Sequence, residues 1–343
     1  MRHLLNTLFV TSENIYLSLD GENVVASREK EAVARYPLHT LTAILTFAYP
    51  GASPALMGAC AQRGISLSFC TPGGKFLARV TGEANGNVLL RRTQYRMADD
   101  PAQSCAIARA MVFGKVHNAR WSIERTRRDH GLRVDDQRLG EVSSQLKTML
   151  PQLLQETDLD SLRGLEGASA TAYFGVFDQM ILGDRSVFYF ETRSRRPPLD
   201  PVNALLSFAY SLLSHDCAGA LESVGLDSYV GFLHRDRPGR SSLALDLMEE
   251  FRPCMADRFV LTCINNRIFQ KTDFVFRENG GVLLSESGRR TFLQRWQERK
   301  KDSLTHPFLG EKVPWGLVPY LQALLLARCL RGDLEAYPPF LWK

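Results

Sequence analysis

No two cysteines in this sequence stand in a CxxC spacing, and none opens a CxxH. The seven, Cys60, Cys70, Cys105, Cys217, Cys254, Cys263 and Cys329, are odd in number and widely scattered. That pattern supplies neither a zinc site nor a redox pair, and it predicts reduced thiols in a cytoplasmic protein. Long hydrophobic runs are lacking as well. The apolar stretch of MRHLLNTLFVTSEN is broken by Asn6 and ends at Ser12-Glu13-Asn14, unlike a signal peptide. The late run from Leu321 to Leu330 carries Gln322 and Arg328. A bilayer span needs about 20 predominantly apolar residues, so no membrane partner is expected. Charge of one sign is also scarce. Lys and Arg (42) exceed Asp and Glu (37) by five, which permits an anionic partner only through local basic clusters. There is no internal repeat and no G-x-S-x-G elbow. Thr71-Pro-Gly-Gly-Lys75 lacks the spacing of a phosphate-binding loop and reads as a hairpin turn.

What is present is the composition of an ordinary globular protein, and 343 residues suggest two domains. Residues 4–80 contain six or seven short runs rich in β-branched and aromatic residues, with one helical segment, SPALMGACAQRG, among them. Such closely spaced strands suggest a small sandwich or barrel. Gly, Asn and Asp cluster in GEANGNVLLRRTQYRMADDP, and helical periodicity dominates afterwards. The expected class is therefore α+β: a β-sandwich-like domain over 1–82, an interdomain linker over 83–100 and a mostly α-helical domain over 101–343. Helices are predicted at about 101–130, 138–156, 165–183, 201–215, 219–226, 242–252, 254–270, 287–300 and 314–331. A hairpin is predicted around Asn279-Gly280-Gly281.

The most informative segment runs from His234 through Asp246, Glu249 and Glu250 to Pro253, a Gly/Pro loop feeding a short helix. At 100° per residue the three acids fall within about 100° of arc, and Leu243, Leu247, Met248 and Phe251 fill the remainder. Like charges on a mostly apolar helix are costly to desolvate, and a divalent metal would offset them. A solvated acidic face would give the same pattern. His234, twelve residues before Asp246, could return to that face as an imidazole ligand or be an ordinary hydrogen-bonded histidine. A second segment, Arg163-Gly-Leu-Glu166-Gly-Ala-Ser-Ala-Thr-Ala-Tyr173-Phe-Gly175, spaces Ala168, Ala172 and Gly175 for close helix packing and carries Glu166 near its start. There Glu166 could simply complement the helix dipole.

RGLEGASATAYF, RSRRPPLDPVNALLSFAYSLL and GFLHRDRPGRSSLALDLMEEFRP, in that order, resemble the CRISPR adaptation integrases. GNVLLRRTQY, GGVLLSESGRRTFLQRW and the strand-rich N-terminal part extend the likeness over almost the whole chain. The resemblance implies a metal-dependent DNA endonuclease/integrase with an N-terminal β-domain and a helical catalytic domain. It implies metal ligation by Glu166, His234 and Glu249, with Asp246 a further acid of the site. Two carboxylates and an imidazole suit Mg²⁺ or Mn²⁺, and His234 could alternatively carry a proton. Glu250 has no role by resemblance and reads as a solvated neighbour or an Arg cap. A homodimer, double-stranded DNA and a small second adaptation protein, joined in a heterohexameric complex, are the implied partners.

Basic clusters would meet the DNA. Arg193, Arg195 and Arg196 precede Pro197-Pro198. Arg91, Arg92 and Arg96 form a second group, Arg125, Arg127 and Arg128 a third, and Arg289 to Lys301 a fourth. Such groups suit phosphate contacts without sequence readout. Tyr173, Phe174 and Phe177 are spaced as core, and of these only Tyr173 is expected to reach DNA. The rival readings are a non-catalytic DNA-binding scaffold and a metal-dependent phosphohydrolase for small substrates, which would need a closed pocket.

Overall fold

The computed structural model describes residues 6–10, 12, 14–71, 76–80, 82 and 88–343. Residues 72–75 of the expected hairpin turn and residues 83–87 of the expected boundary lie outside that set. The chain divides into two compact units, residues 1–85 with 284–297 and residues 86–283 with 298–343.

The smaller unit contains β1 (Asn6–Val10), β2 (Tyr16–Asp20), β3 (Asn23–Arg28), β4 (Glu31–Pro37), β5 (Leu41–Thr46), α1 (Pro54–Gln62), β6 (Ser66–Cys70) and β7 (Phe76–Val80). One sheet has the order β1-β5-β6-β7 and the other β2-β3-β4. The seven strands and α1 match the sequence reading of residues 4–80, but β1–β5 and β5–β6 pair in parallel. A parallel neighbour needs a crossover, and α1 provides it between β5 and β6. Pro54 stands at the first position of α1, and the Ser53 side chain accepts from Leu56 N at 3.2 Å, which fixes where the crossover helix starts. Leu17, Val24, Leu38, Ile44, Leu56 and Leu67 are fully buried in the shared core.

The larger unit is helical: α2 (Val88–Asp99), α3 (Pro101–His130), α4 (Asp136–Gln155), α5 (Leu159–Phe174), α6 (Pro201–Ser223), α7 (Ser242–Glu249), α8 (Arg258–Asn265) and α10 (Val318–Leu330), with α9 (Glu286–Lys301) shared in sequence between the units. Short strands β8 (Phe274–Phe276) and β9 (Val282–Leu284) flank the Asn279-Gly280 turn, and β10 (Ser303–Thr305) pairs with β11 (Lys312–Pro314). Asp100, Asp135, Asp158 and Asp200 cap α3, α4, α5 and α6 by accepting backbone N–H bonds. The 30-residue α3 is the axis, burying Ile107, Met111, Val112, Val116 and Ile123 against its neighbours.

Three boundaries differ from the sequence reading. The Asp158 cap starts α5 at Leu159, so Glu166 lies in mid-helix and not at the dipole end. The helices expected at 201–215 and 219–226 are one continuous α6. The expected helices 242–252 and 254–270 are α7, a π-helical turn over Arg252–Asp257, and α8. In addition, Ala168 and Gly175 of the small-residue series are exposed, and α5 buries Leu162, Ser169 and Tyr173 instead. Within the segment read as a linker, Val88–Asp99 is helical and Gln94 is fully buried. Among the described residues no cysteine is in a disulfide, and six of the seven are buried. Among the described residues no helix is long and apolar enough to cross a membrane.

Candidate functional site

The acids of α7 and its C-cap are not a solvated face. Asp246 and Glu250 are 0 % exposed and Glu249 is 2 %. Buried carboxylates must be satisfied, and here each is satisfied in a different direction. Asp246 turns towards its own entry loop. Its Oδ2 accepts from Phe232 N (2.6 Å) and Leu233 N (2.9 Å), and its Oδ1 accepts from His234 N at 3.0 Å. His234 Nδ1 is 2.6 Å from the same Oδ1. A carboxylate can only accept, so Nδ1 carries the proton and the Nε2 lone pair is left available when the ring is neutral. Asp246 thus positions His234. Gly231 permits this fold-back, because a Cβ there would meet Asp246 Oδ2 and Ser242 Cβ at 2.8 Å.

Arg163 fastens the same loop to α5. Its Nε and NH2 donate to Leu233 O at 2.9 and 2.7 Å, one turn before Glu166. Arg163 also pairs with Asp160 at 2.6 Å, and Asp160 pairs with Arg235 at 3.0 Å. The His234 loop and the Glu166 helix are therefore held as one piece.

Glu166 and Glu249 meet around a residue the sequence reading did not single out. The Lys115 ammonium, on α3, pairs with Glu166 Oε1 and lies 2.6 Å from Glu249 Oε2. Arg252 NH2 is 3.2 Å from Glu249 Oε1. Burial alone would raise the Glu249 pKa, but Arg252, Lys115 and the nearby His234 outweigh it and hold the carboxyl below its usual range. Burial likewise works against the Lys115 charge, and Glu249 and Glu166 overcome it. Glu249 Oε2 makes no aligned hydrogen bond despite being buried. Among the described residues no three His, Cys, Asp or Glu side chains converge as a formed metal site. The structure brings together two carboxylates around an ammonium, with His234 beside them. The donor types suit a divalent cation at the ammonium's position, where Lys115 is now the close partner of the buried Glu249 Oε2.

Glu250 corrects the sequence reading most plainly, since it is neither solvated nor an Arg cap. It accepts from Phe340 N (2.5 Å), the Tyr337 hydroxyl (2.6 Å) and Gln322 Nε2 (3.2 Å). Burial pushes its pKa up to about 8. Asn118, three residues after Lys115, donates to Glu250 O at 2.7 Å and Phe340 O at 2.8 Å and accepts from Trp342 N. This strap ties the C-terminal residues to α3 and α7 behind Glu249. Gly114 leaves room for it, because a Cβ would stand 3.1 Å from Glu250 Cγ.

Beyond Lys115 lies a cavity with room for about one water, bordered by Ser169, Tyr173, Tyr210, Arg252 and Asp257. Tyr210 donates to Asp257 Oδ1 at 2.6 Å, and its ring lies 5.2 Å from the Arg193 guanidinium and 4.9 Å from that of Arg252. Tyr173 is 3 % exposed and packs edge-on against Phe174 and Phe177, so it does not reach the surface.

The basic clusters divide in a similar way. Arg193 turns inward to Asn203 Oδ1 (2.6 Å) and Ser207 Oγ (3.1 Å), whereas Arg195 and Arg196 are exposed. Arg125, Arg127 and Arg128 are engaged by Asp129, Glu124 and Asp136. Arg290, Arg299 and Lys300 pair with Glu286, Asp302 and Asp216. The latter two groups are largely ion-pair faces.

A family model described as CRISPR-associated protein Cas1 matches residues 8–298. The chain belongs to the Cas1 family. A CRISPR-associated endonuclease Cas1 of Rhodospirillum rubrum is 51 % identical over 347 residues, covering all of both chains. Another, from Chlorobaculum tepidum, is 48 % identical over 343 residues, again end to end. Among solved structures, a casposase bound to integration product superposes with a TM-score of 0.83 at 23 % identity, covering 99 % of this chain and 94 % of that one. At that identity the superposition speaks for the Cas1 fold: a strand-rich first part followed by a mostly helical one.

Proposed function

We propose that the chain is a DNA endonuclease/integrase of CRISPR spacer acquisition that joins 3′-hydroxyl ends of a short duplex to a repeat array by direct transesterification. Mg²⁺ or Mn²⁺ would be held by Glu166, His234 and Glu249. One observation carries the reading: Glu166 from α5 and Glu249 from α7 are held around a single cationic position, beside an imidazole that Asp246 and Arg163 orient. A divalent cation there would supply charge stabilisation to a phosphate undergoing displacement.

The chain's own residues do the rest. Asp246 keeps His234 Nδ1 protonated, so Nε2 is available as a donor atom or to hold a proton. Arg252 keeps Glu249 ionised. Arg195 and Arg196, exposed ahead of α6, contact the DNA backbone, and Arg193 braces their segment through Asn203. The chain acts as a homodimer with a small second adaptation protein in a heterohexamer. The scaffold reading has one observation in its favour, since Lys115 and Arg252 already neutralise Glu249.

An integration assay on supercoiled plasmid carrying a repeat array separates the two. Joining should require Mg²⁺ or Mn²⁺ and a free 3′-hydroxyl, and Glu166→Ala, His234→Ala and Glu249→Ala should each abolish it while duplex binding persists. Wild-type joining in any of the three would remove that residue from the site. Joining of 3′-blocked DNA, or a denaturant-stable protein–DNA adduct, would refute direct transesterification.

A further inference from the structure

Lys115 is 8 % exposed, and its ammonium is shared between two carboxylates from two different helices. We infer that Lys115 is a built-in competitor for the divalent cation: its ammonium holds the position between Glu166 and Glu249, and it must withdraw before a metal can bridge them. This rests on the metal-binding reading of the preceding section.

Three features of the larger unit support it. A compact ammonium on a flexible four-carbon stem can stand in for a metal between carboxylates, and a guanidinium fork could not occupy so small a point. Lys115 belongs to α3, whereas the carboxylates belong to α5 and α7, so its side chain can leave without moving either helix. A place to go adjoins it: the one-water cavity bordered by Lys115 also presents the Asp257 carboxylate and the hydroxyls of Tyr173 and Tyr210. The buried Tyr173 hydroxyl lies beside Asp257 and could accept a hydrogen bond from the displaced ammonium. In this scheme Lys115 keeps two buried carboxylates compatible in the metal-free protein and sets the metal concentration at which they can be claimed.

Calorimetric titration of the full chain with Mn²⁺ tests the inference without reference to activity. Lys115→Met should bind Mn²⁺ at least about tenfold more tightly than wild type. Equal or weaker binding by Lys115→Met, when wild type binds, would overturn the competition and leave the metal reading standing. No binding by either protein would overturn both. Should Lys115→Met fail to fold, Lys115→Gln, which removes the charge and keeps a polar head, decides: it too should bind Mn²⁺ several-fold more tightly than wild type, and equal or weaker binding would refute displacement of the ammonium.

Discussion

The two units treat polarity in opposite ways. In the smaller unit the buried polar side chains among the described residues are Thr46 and Ser68, and ion pairs such as Arg35–Asp20 and Arg63–Glu22 lie at the surface. The larger unit buries Lys115, Asp200, Asp246, Glu249, Glu250 and Asp257. Desolvating a charge costs several kcal/mol unless it is paired or hydrogen-bonded, so such a concentration points to a use other than stability. Apolar packing is enough to make a sheet unit. Carboxylates fixed in chosen directions are needed only where chemistry or positioning depends on them.

Removing one partner from each kind of contact sharpens that contrast. Asp246→Ala would strand three backbone N–H groups and His234 Nδ1 in a buried site, and should cost about 3–5 kcal/mol of unfolding free energy. Arg63→Ala removes an exposed pair and should cost less than about 1 kcal/mol. Urea denaturation of both variants reads the difference, and similar losses would erase the distinction between the units.

A smaller effect comes from Glu250. Burial raises its folded pKa to about 8 from the 4.5 of the free side chain. Between those values the folded chain holds a proton that the unfolded chain has released. Its contribution is therefore full below pH 4.5 and is lost as pH rises to about 8, at no more than about 1.4 kcal/mol per pH unit. Glu250→Gln cannot ionise, so its urea midpoint should fall less than that of wild type between pH 5.5 and 7.5. Parallel profiles would contradict a protonated Glu250.

Much of this architecture was legible in the residues. Asp100-Pro101 marked the start of α3, and the strand runs before residue 80 gave the number of strands in the smaller unit. Their parallel pairing was not legible, because strand periodicity carries no direction. Glu166, His234, Asp246 and Glu249 were singled out, but their partners were missed. A signal for Lys115 did exist: Ala108, Val112, Lys115 and Ala119 share one apolar face of α3, where a lysine is out of place. Asn118 lies likewise on the face of Ile107 and Met111. For Glu250 there was no local signal, since its partners Tyr337 and Phe340 lie about 90 residues away in a segment without secondary structure. Asp246, Glu249 and Glu250 find their partners in the entry loop, on α3 and in the C-terminal residues respectively, so the acidic stripe read from ideal periodicity is split three ways.

In the proposed site Glu166, His234 and Glu249 surround one divalent-cation position that the Lys115 ammonium holds in the metal-free chain. Anomalous diffraction from a crystal of the full chain grown with Mn²⁺ tests it most directly. A single strong peak is expected between the Glu166 and Glu249 carboxylates, within bonding distance of His234 Nε2, with the Lys115 ammonium moved away. A peak elsewhere, or an undisturbed Lys115 bridge at saturating Mn²⁺, would contradict it.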